Sequence, residues 1–149
     1  MPTHYPGTET EKRALNLFIC LMRASGQMLR TQQTVLAPYG LKPSAFGVLE
    51  ALHHLGPMCQ KALAGKILTT EGNVTQLCAI LERRGLIERL RNPLDRRYIS
   101  LHLTAAGEAL IGELFPRILE ELLHATARLA DDEQEQMIAI CKKIGRNDG

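Results

Sequence analysis

The chain has no tryptophan and few other aromatic residues. Its 149 residues include three Tyr and three Phe, although 45% of them are hydrophobic. The apolar positions are therefore mostly Leu, Ile, Ala and Met, a composition typical of helical proteins. The chain is long enough for one domain of ordinary size, and this composition predicts that helices form its core.

Long hydrophobic runs are also missing. No stretch approaches the roughly 20 apolar residues that a membrane-spanning helix needs. The first eight residues contain no basic segment followed by an apolar block, which is the pattern of a secretory signal. We therefore expect a soluble, cytoplasmic protein with no membrane partner.

The four cysteines show none of the close spacing that metal or redox centres use. Cys20, Cys59, Cys78 and Cys141 are at least 19 positions apart and form no C-x-x-C pair. We expect each to be a small buried thiol in a reducing compartment. The sequence also contains no phosphate-binding loop, no metal-ligand spacing and no nucleophile with a paired base. It predicts no enzymatic activity, no cofactor and no metal.

Charge is unevenly distributed, although the formal net charge is only +2. Residues 60–103 contain eight Lys or Arg and four Asp or Glu, whereas residues 104–149 contain five and nine. A basic centre beside an acidic tail suits a protein whose centre meets phosphates. Ordinary scatter of solvated charge explains the same counts equally well when charge is considered alone.

Hydrophobic periodicity predicts six helices and one hairpin. Helical spacing covers 11–37, 43–55 and 60–68, then continues from the Thr70 N-cap to Arg84, and it resumes after Thr104 and from Asp131. Between these helices, 86–90 and 98–103 are the strands of a hairpin with a polar, turn-rich tip. Gly85 is expected to end the fourth helix in the left-handed conformation. The third and fourth helices with this hairpin form a winged helix-turn-helix pattern.

The predicted fold is mainly α (α+β), with 1–149 as a single domain. Residues 43–103 form the winged helix-turn-helix unit, and 10–38 and 104–146 are long amphipathic helices outside it. The last helix is expected to bury Met137, Ile138, Cys141 and Ile144. Helices with apolar stripes and no core of their own need a partner, and a second copy of the chain is the simplest one. We therefore expect a homodimer.

The start of the fourth helix carries the predicted base-reading residues. In a helix-turn-helix the second helix enters the major groove of DNA, where its first turns face the base edges. Asn and Gln suit adenine, Thr can bond a base or touch a thymine methyl, and glycine permits close backbone approach. The predicted DNA contacts are Thr70, Gly72, Asn73, Thr75 and Gln76. A capped helix with a solvated polar face is the alternative explanation.

The hairpin tip adds a second set of predicted DNA contacts. Arg91, Arg96 and Arg97 surround it, and exposed guanidinium groups suit a phosphate backbone or a minor groove. Asp95 would repel DNA, so we expect it to orient Arg97 through a charge-assisted pair. The alternative is a surface ion pair of little consequence.

These residues resemble the MarR family of bacterial transcriptional regulators. The resemblance rests on Leu81 to Arg89, on Asp95-Arg96-Arg97 and on Ile99-x-Leu101-x-Leu103-Thr104-x-x-Gly107, and it extends over roughly residues 12 to 145. It implies a homodimeric winged-helix repressor that binds pseudo-palindromic double-stranded operators. Many members control efflux, detoxification or stress responses and release DNA when they bind small, often aromatic, ligands. A winged-helix protein-interaction module without DNA binding is the alternative.

The chain departs from the family pattern at two positions, Gln76 and Cys20. Many members carry Arg after the Val-Thr step of the recognition helix, where this chain has Gln76, so we expect weaker phosphate or guanine contact there. Cys20 lies on the first helix, where the peroxide-sensing branch keeps its reactive thiol, but one residue out of register. We therefore consider oxidation at Cys20 a possible signal, and an inert buried thiol the better expectation.

Overall fold

A computed structural model of the chain describes residues 4–67 and 71–145. Thr70, the first predicted DNA contact, lies outside the described residues. Over the described ranges the chain forms six α-helices and a two-stranded antiparallel sheet, which confirms the predicted fold class. In chain order these elements are α1 Glu9–Leu36, α2 Pro43–Leu55, α3 Gln60–Lys66, α4 Glu71–Arg83, β1 Ile87–Arg91, β2 Ile99–Leu103, α5 Ala105–Thr126 and α6 Asp131–Ile144. A short 3₁₀ turn, Ala37–Tyr39, follows α1.

Two helix boundaries differ from the prediction, one because of a capping box and one because of the backbone conformation. Helix α1 begins two residues before its predicted start because Thr8 forms a capping box with Glu11. The Glu11 carboxylate accepts the backbone N–H of Thr8 at 2.7 Å, and this bond lowers the pKa of Glu11. Helix α3 ends earlier than predicted because Ile67 has an extended backbone, with φ −104° and ψ 150°.

The buried core lies between the helix-turn-helix and the helices that flank it. Helices α2, α3 and α4 each contribute side chains that are essentially inaccessible to solvent, including Phe46, Leu63 and Val74. The end of α1 and the first half of α5 close the same core from the other side. Fully buried Leu or Ile side chains each contribute about 1.5–3 kcal/mol to folding. This shared core fixes the recognition helix against the rest of the chain.

The hairpin is tied to the helices through both of its strands. Its strands pair from Ile87 with Leu103 to Arg91 with Ile99. The N–H of Leu101 also donates to the carbonyl of Met58 at 2.8 Å, which ties β2 to the segment before α3. Gly85 has φ +69° and ends α4 in the left-handed conformation, as predicted.

The Thr104-x-x-Gly107 motif holds α5 against the start of the hairpin. The Thr104 hydroxyl accepts the N–H of Gly107 at 3.1 Å and donates to the carbonyl of Gly85 at 2.6 Å. A Cβ at position 107 would overlap the backbone carbonyl of Leu86. Glycine is therefore required at this position because the helix and the chain entering β1 touch through their backbones.

The outer helices expose large apolar side chains, and the predicted burial of α6 is wrong for the single chain. No residue of α6 is buried, and Met137, Ile138, Cys141 and Ile144 are exposed because no element within residues 4–67 and 71–145 covers their face. We call the exposed apolar residues of α1, α5 and α6 the terminal apolar surface. Its members are Leu15, Leu17, Phe18, Met22, Met28, Leu29, Leu119, Leu123, Met137, Ile138, Ile140 and Ile144. Among the described helices, none combines the length and apolarity needed to cross a bilayer.

Candidate nucleic-acid interface

The first turns of α4 present the predicted base-reading residues on one exposed surface. Gly72, Asn73, Thr75 and Gln76 are exposed, whereas the buried residues of α4 are Val74, Leu77, Cys78 and Leu81. A Cβ at Gly72 would meet none of the described atoms within 4 Å, so packing inside the chain does not demand glycine there. The structure thus brings four of the five predicted residues to the same accessible surface. Their role in DNA contact stays a prediction.

A polar network that we did not predict connects this surface with the base of the wing. The amide nitrogen of Gln60 donates to the Thr75 hydroxyl at 2.6 Å, and its carbonyl oxygen accepts from Arg89 at 3.2 Å. The Arg89 Nε donates to Glu82 at 2.8 Å. We call Gln60, Thr75, Glu82 and Arg89 the polar bridge. It spans α3, α4 and β1, and no local pattern identifies partners 15 and 29 positions apart.

Asp95 contacts Arg97 at the hairpin tip, and its expected role in orienting Arg97 for DNA stays a prediction. Its Oδ1 accepts the backbone N–H of Arg97 at 3.1 Å and lies 3.5 Å from the Arg97 Nε. The carbonyl of Asp95 accepts from the Tyr98 N–H at 3.0 Å, which closes the turn. The Arg97 side chain nevertheless remains 95% exposed. The carboxylate therefore restrains the guanidinium without covering it.

Further hydrogen bonds shape the rest of the wing. Arg91 donates to the carbonyl of Arg96 at 3.1 Å, so its guanidinium is partly used inside the loop. The Asn92 side chain accepts the N–H of Leu94 at 2.9 Å. Leu94 is 95% exposed, an apolar tip residue that the sequence analysis did not single out. Among the three predicted arginines, Arg97 has a side chain that is 95% exposed, whereas the Arg91 guanidinium makes a contact inside the loop.

A second network links the end of α4 with α5. The Arg84 guanidinium donates to the carbonyls of Tyr39 and Gly40 at 2.7 and 3.1 Å. The Tyr39 hydroxyl donates to Glu113 at 2.6 Å and accepts from Arg117 at 2.8 Å. The hydrogen bond to Glu113 raises the pKa of Tyr39. Tyr39 therefore connects the end of α4, through its backbone carbonyl, with α5, through its hydroxyl.

The predicted burial of the cysteines holds for one residue. Cys78 on α4 is fully buried, and burial raises the pKa of its thiol. Cys59 is half-buried, whereas Cys20 and Cys141 are exposed because they lie on the outer helices. Over residues 4–67 and 71–145, no group of three His, Cys, Asp or Glu residues is arranged to hold a metal ion.

Similarity to known proteins decides the family. Residues 41–99 match the family model described as MarR family. The HTH-type transcriptional regulator MhqR of Bacillus subtilis (strain 168) is 33% identical over 138 residues, which cover 93% of this chain and 94% of that protein. The chain belongs to the MarR family. The family resemblance inferred from the hairpin and the Thr104-x-x-Gly107 motif is confirmed.

Solved structures show that the MarR-family fold extends over almost the whole chain. A mutant MarR from Escherichia coli, complexed with operator DNA, has a TM-score of 0.81 and 21% identity and covers 93% of this chain and 100% of its own. BpsR of Bordetella bronchiseptica, whose DNA binding is regulated by 6-hydroxynicotinic acid, has a TM-score of 0.79 and 22% identity. It covers 99% of this chain and 100% of its own. At these identities the likeness concerns the fold.

Proposed function

We propose that this chain is a homodimeric transcriptional regulator that binds duplex DNA through α4 and the wing. One observation supports this most strongly. The wing holds Arg97 with a carboxylate while leaving the guanidinium 95% exposed, and the polar bridge connects the same wing to the exposed start of α4. A guanidinium restrained in this way is suited to a phosphate or to the minor groove.

The four exposed residues at the start of α4 each suit a role in reading the major groove. Asn73 and Gln76 carry amides that can bond adenine in a bidentate manner, and Thr75 can bond a base or touch a thymine methyl. Gly72 allows a close approach of the backbone. With Gln76 in place of an arginine, this surface suits adenine better than guanine. Thr70 belongs to the same hypothesis, although it lies outside the described residues.

The terminal apolar surface supports the homodimer. Isolated apolar side chains on a surface are ordinary, but here about a dozen large ones lie on three neighbouring outer helices. A groove of about 1050 Å³ opens between α1, α5 and α6, with Met28, Met137 and Ile138 in its wall. A second copy of the chain would cover this surface and place two recognition helices for a pseudo-palindromic site. In this hypothesis 10–38 and 104–146 are the dimerisation segments.

We further propose that the protein is a repressor released from its operator by a small molecule or by oxidation. The small-molecule hypothesis draws on BpsR, whose DNA binding responds to 6-hydroxynicotinic acid. The oxidation hypothesis depends on Cys20, which is exposed in the single chain. Labelling the folded protein with a maleimide tests it directly. If Cys20 stays unlabelled, or if peroxide affects DNA binding by the wild type and Cys20→Ser equally, oxidation at this residue is excluded.

The DNA-binding proposal is tested by selecting duplexes from a random library with the purified protein. We expect the selected sites to contain two inverted half-sites about one helical turn apart, because a two-fold dimer places its recognition helices at that spacing. Analytical ultracentrifugation should show a dimer. Enrichment of no sequence, together with no retention of any duplex at low salt, would contradict the proposal.

A further inference from the structure

The polar bridge centres on Gln60. Its side-chain NH₂ group and its side-chain oxygen bind two different parts of the proposed DNA interface. Gln60 is the first residue of α3 and is half-buried. Its amide nitrogen reaches Thr75 on α4 at 2.6 Å, and its oxygen lies 3.2 Å from Arg89 on β1. One short side chain thus touches both the recognition helix and the wing.

Donor and acceptor chemistry fixes the direction of this bridge. An arginine side chain can only donate hydrogen bonds, so Gln60 must turn its oxygen towards Arg89 and its NH₂ group towards Thr75. The Thr75 hydroxyl oxygen must then act as the acceptor. Flipping the Gln60 amide would place donor against donor at Arg89 and lose that bond. The Gln60 amide in this orientation therefore connects the Thr75 hydroxyl with a residue of the wing.

Arg89 is itself restrained by a third member of the bridge. Its Nε donates to the Glu82 carboxylate at 2.8 Å, and the Arg89 side chain is only 33% exposed. Glu82 lies on α4, so the bridge leaves α4 at Thr75 and returns to it at Glu82. A displacement of Arg89 in the wing would therefore alter the contacts of Thr75 at the start of α4, two turns away from Glu82.

We propose that Gln60 is a positioning residue for operator discrimination, which sets the rotamer of Thr75 and couples it to the wing. This inference rests on the proposed function, since it assigns Gln60 a role in the same DNA interface. Gln60 need not touch DNA. Its loss should remove the bond that ties Thr75 to the wing, so that the correct base pair loses part of its advantage while binding to unrelated duplex is kept.

The test compares affinity for a duplex selected from the random library with affinity for a scrambled duplex. Gln60→Ala should lower the ratio of the two affinities by roughly threefold to tenfold, the effect of losing one hydrogen bond that orders a base-reading side chain. Gln60→Leu, which keeps the approximate size of the side chain but can neither donate nor accept a hydrogen bond, should lower the same ratio. Thermal denaturation of both variants shows whether they fold.

Two comparisons separate positioning from a general structural role. In a Thr75→Val background, which removes the hydroxyl, adding Gln60→Ala should cause no further loss of the ratio. Lys61→Ala, at the next position of α3, should weaken binding to both duplexes by the same factor and keep the ratio. The inference is overturned if the ratio stays within twofold of wild type in both Gln60 variants, or if the Gln60 and Thr75 losses add. If the wild type retains neither duplex, the proposed function itself has failed.

Discussion

Replacing Asp95 with alanine tests the wing, because two physical effects predict changes of opposite sign. Asp95 is an acidic residue at a surface that we propose meets phosphates. A carboxylate about 8 Å from a phosphate is repelled by about 0.5 kcal/mol in water, before screening by salt. If charge alone mattered, Asp95→Ala would bind DNA about twofold more tightly per wing, or roughly fivefold for two wings of a dimer.

The contacts of Asp95 predict the reverse. Its Oδ1 lies 3.1 Å from the Arg97 backbone nitrogen and 3.5 Å from the Arg97 Nε. An arginine loses up to about 2 kcal/mol of conformational entropy when it is fixed, and Asp95 imposes part of that cost before DNA arrives. We expect about 1 kcal/mol of weaker binding per wing, or roughly 30-fold for two wings of a dimer. The pair is exposed, so folding stability should change by less than about 1 kcal/mol.

Fluorescence anisotropy with the selected duplex measures this effect. Asp95→Asn should bind with intermediate affinity, since its side-chain oxygen still accepts from the Arg97 N–H while the charge is lost. Glu88→Gln removes a negative charge from the neighbouring strand β1 and serves as the control for net charge. If Asp95→Ala binds as tightly as the wild type or more tightly, Asp95 does not position Arg97 for DNA.

Three further predictions follow from other parts of the structure. Gly107→Ala should destabilise the fold by about 1–3 kcal/mol because its Cβ overlaps a backbone carbonyl. The control, Gly112→Ala on the same helix, should be neutral or stabilising. Equal midpoints of the two variants in a thermal melt would refute this. Cys78 should resist maleimide in the folded protein and react fully in denaturant, because it is buried and its pKa is raised; labelling without denaturant would contradict that. The absorbance titration of the Tyr39 phenol should shift downward in Glu113→Gln, since Glu113 raises the pKa of Tyr39. The Glu113 bond stabilises the fold below the unfolded pKa of about 10 and is lost as pH rises through the folded pKa.

Local sequence signals were sufficient for the helix-turn-helix and the wing. The change from helical spacing to alternation marked the strands, and Gly85 takes the left-handed conformation that its position indicated. The contact between Asp95 and Arg97 could also be predicted, because the two residues are close in sequence at the tip of a tight loop. In each case the signal and the structure it predicts lie within a few residues of each other.

Contacts between distant segments and the surroundings of the outer helices could not be predicted in this way. The Gln60 contacts join α3 to α4 and β1, and Arg84 reaches Tyr39 across 45 positions. Nothing in the residues around Gln60 reports its partners. An apolar stripe likewise shows that a face avoids water without showing what covers it. Cys20 and the apolar residues of α6 were expected to be buried but are exposed, because none of the elements that the structure describes covers them.

The dependence of DNA affinity on salt tests the central claim most directly. A protein that contacts duplex DNA through phosphates loses affinity linearly on a log–log scale, with a slope of about −0.9 per phosphate contact. Titrations of the selected duplex should show a steep slope for the wild type. Arg97→Ala should weaken binding and reduce the magnitude of the slope by about two for a dimer with two wings. Duplex affinity and slope that are unchanged in Arg97→Ala would contradict the proposal that the wing binds DNA.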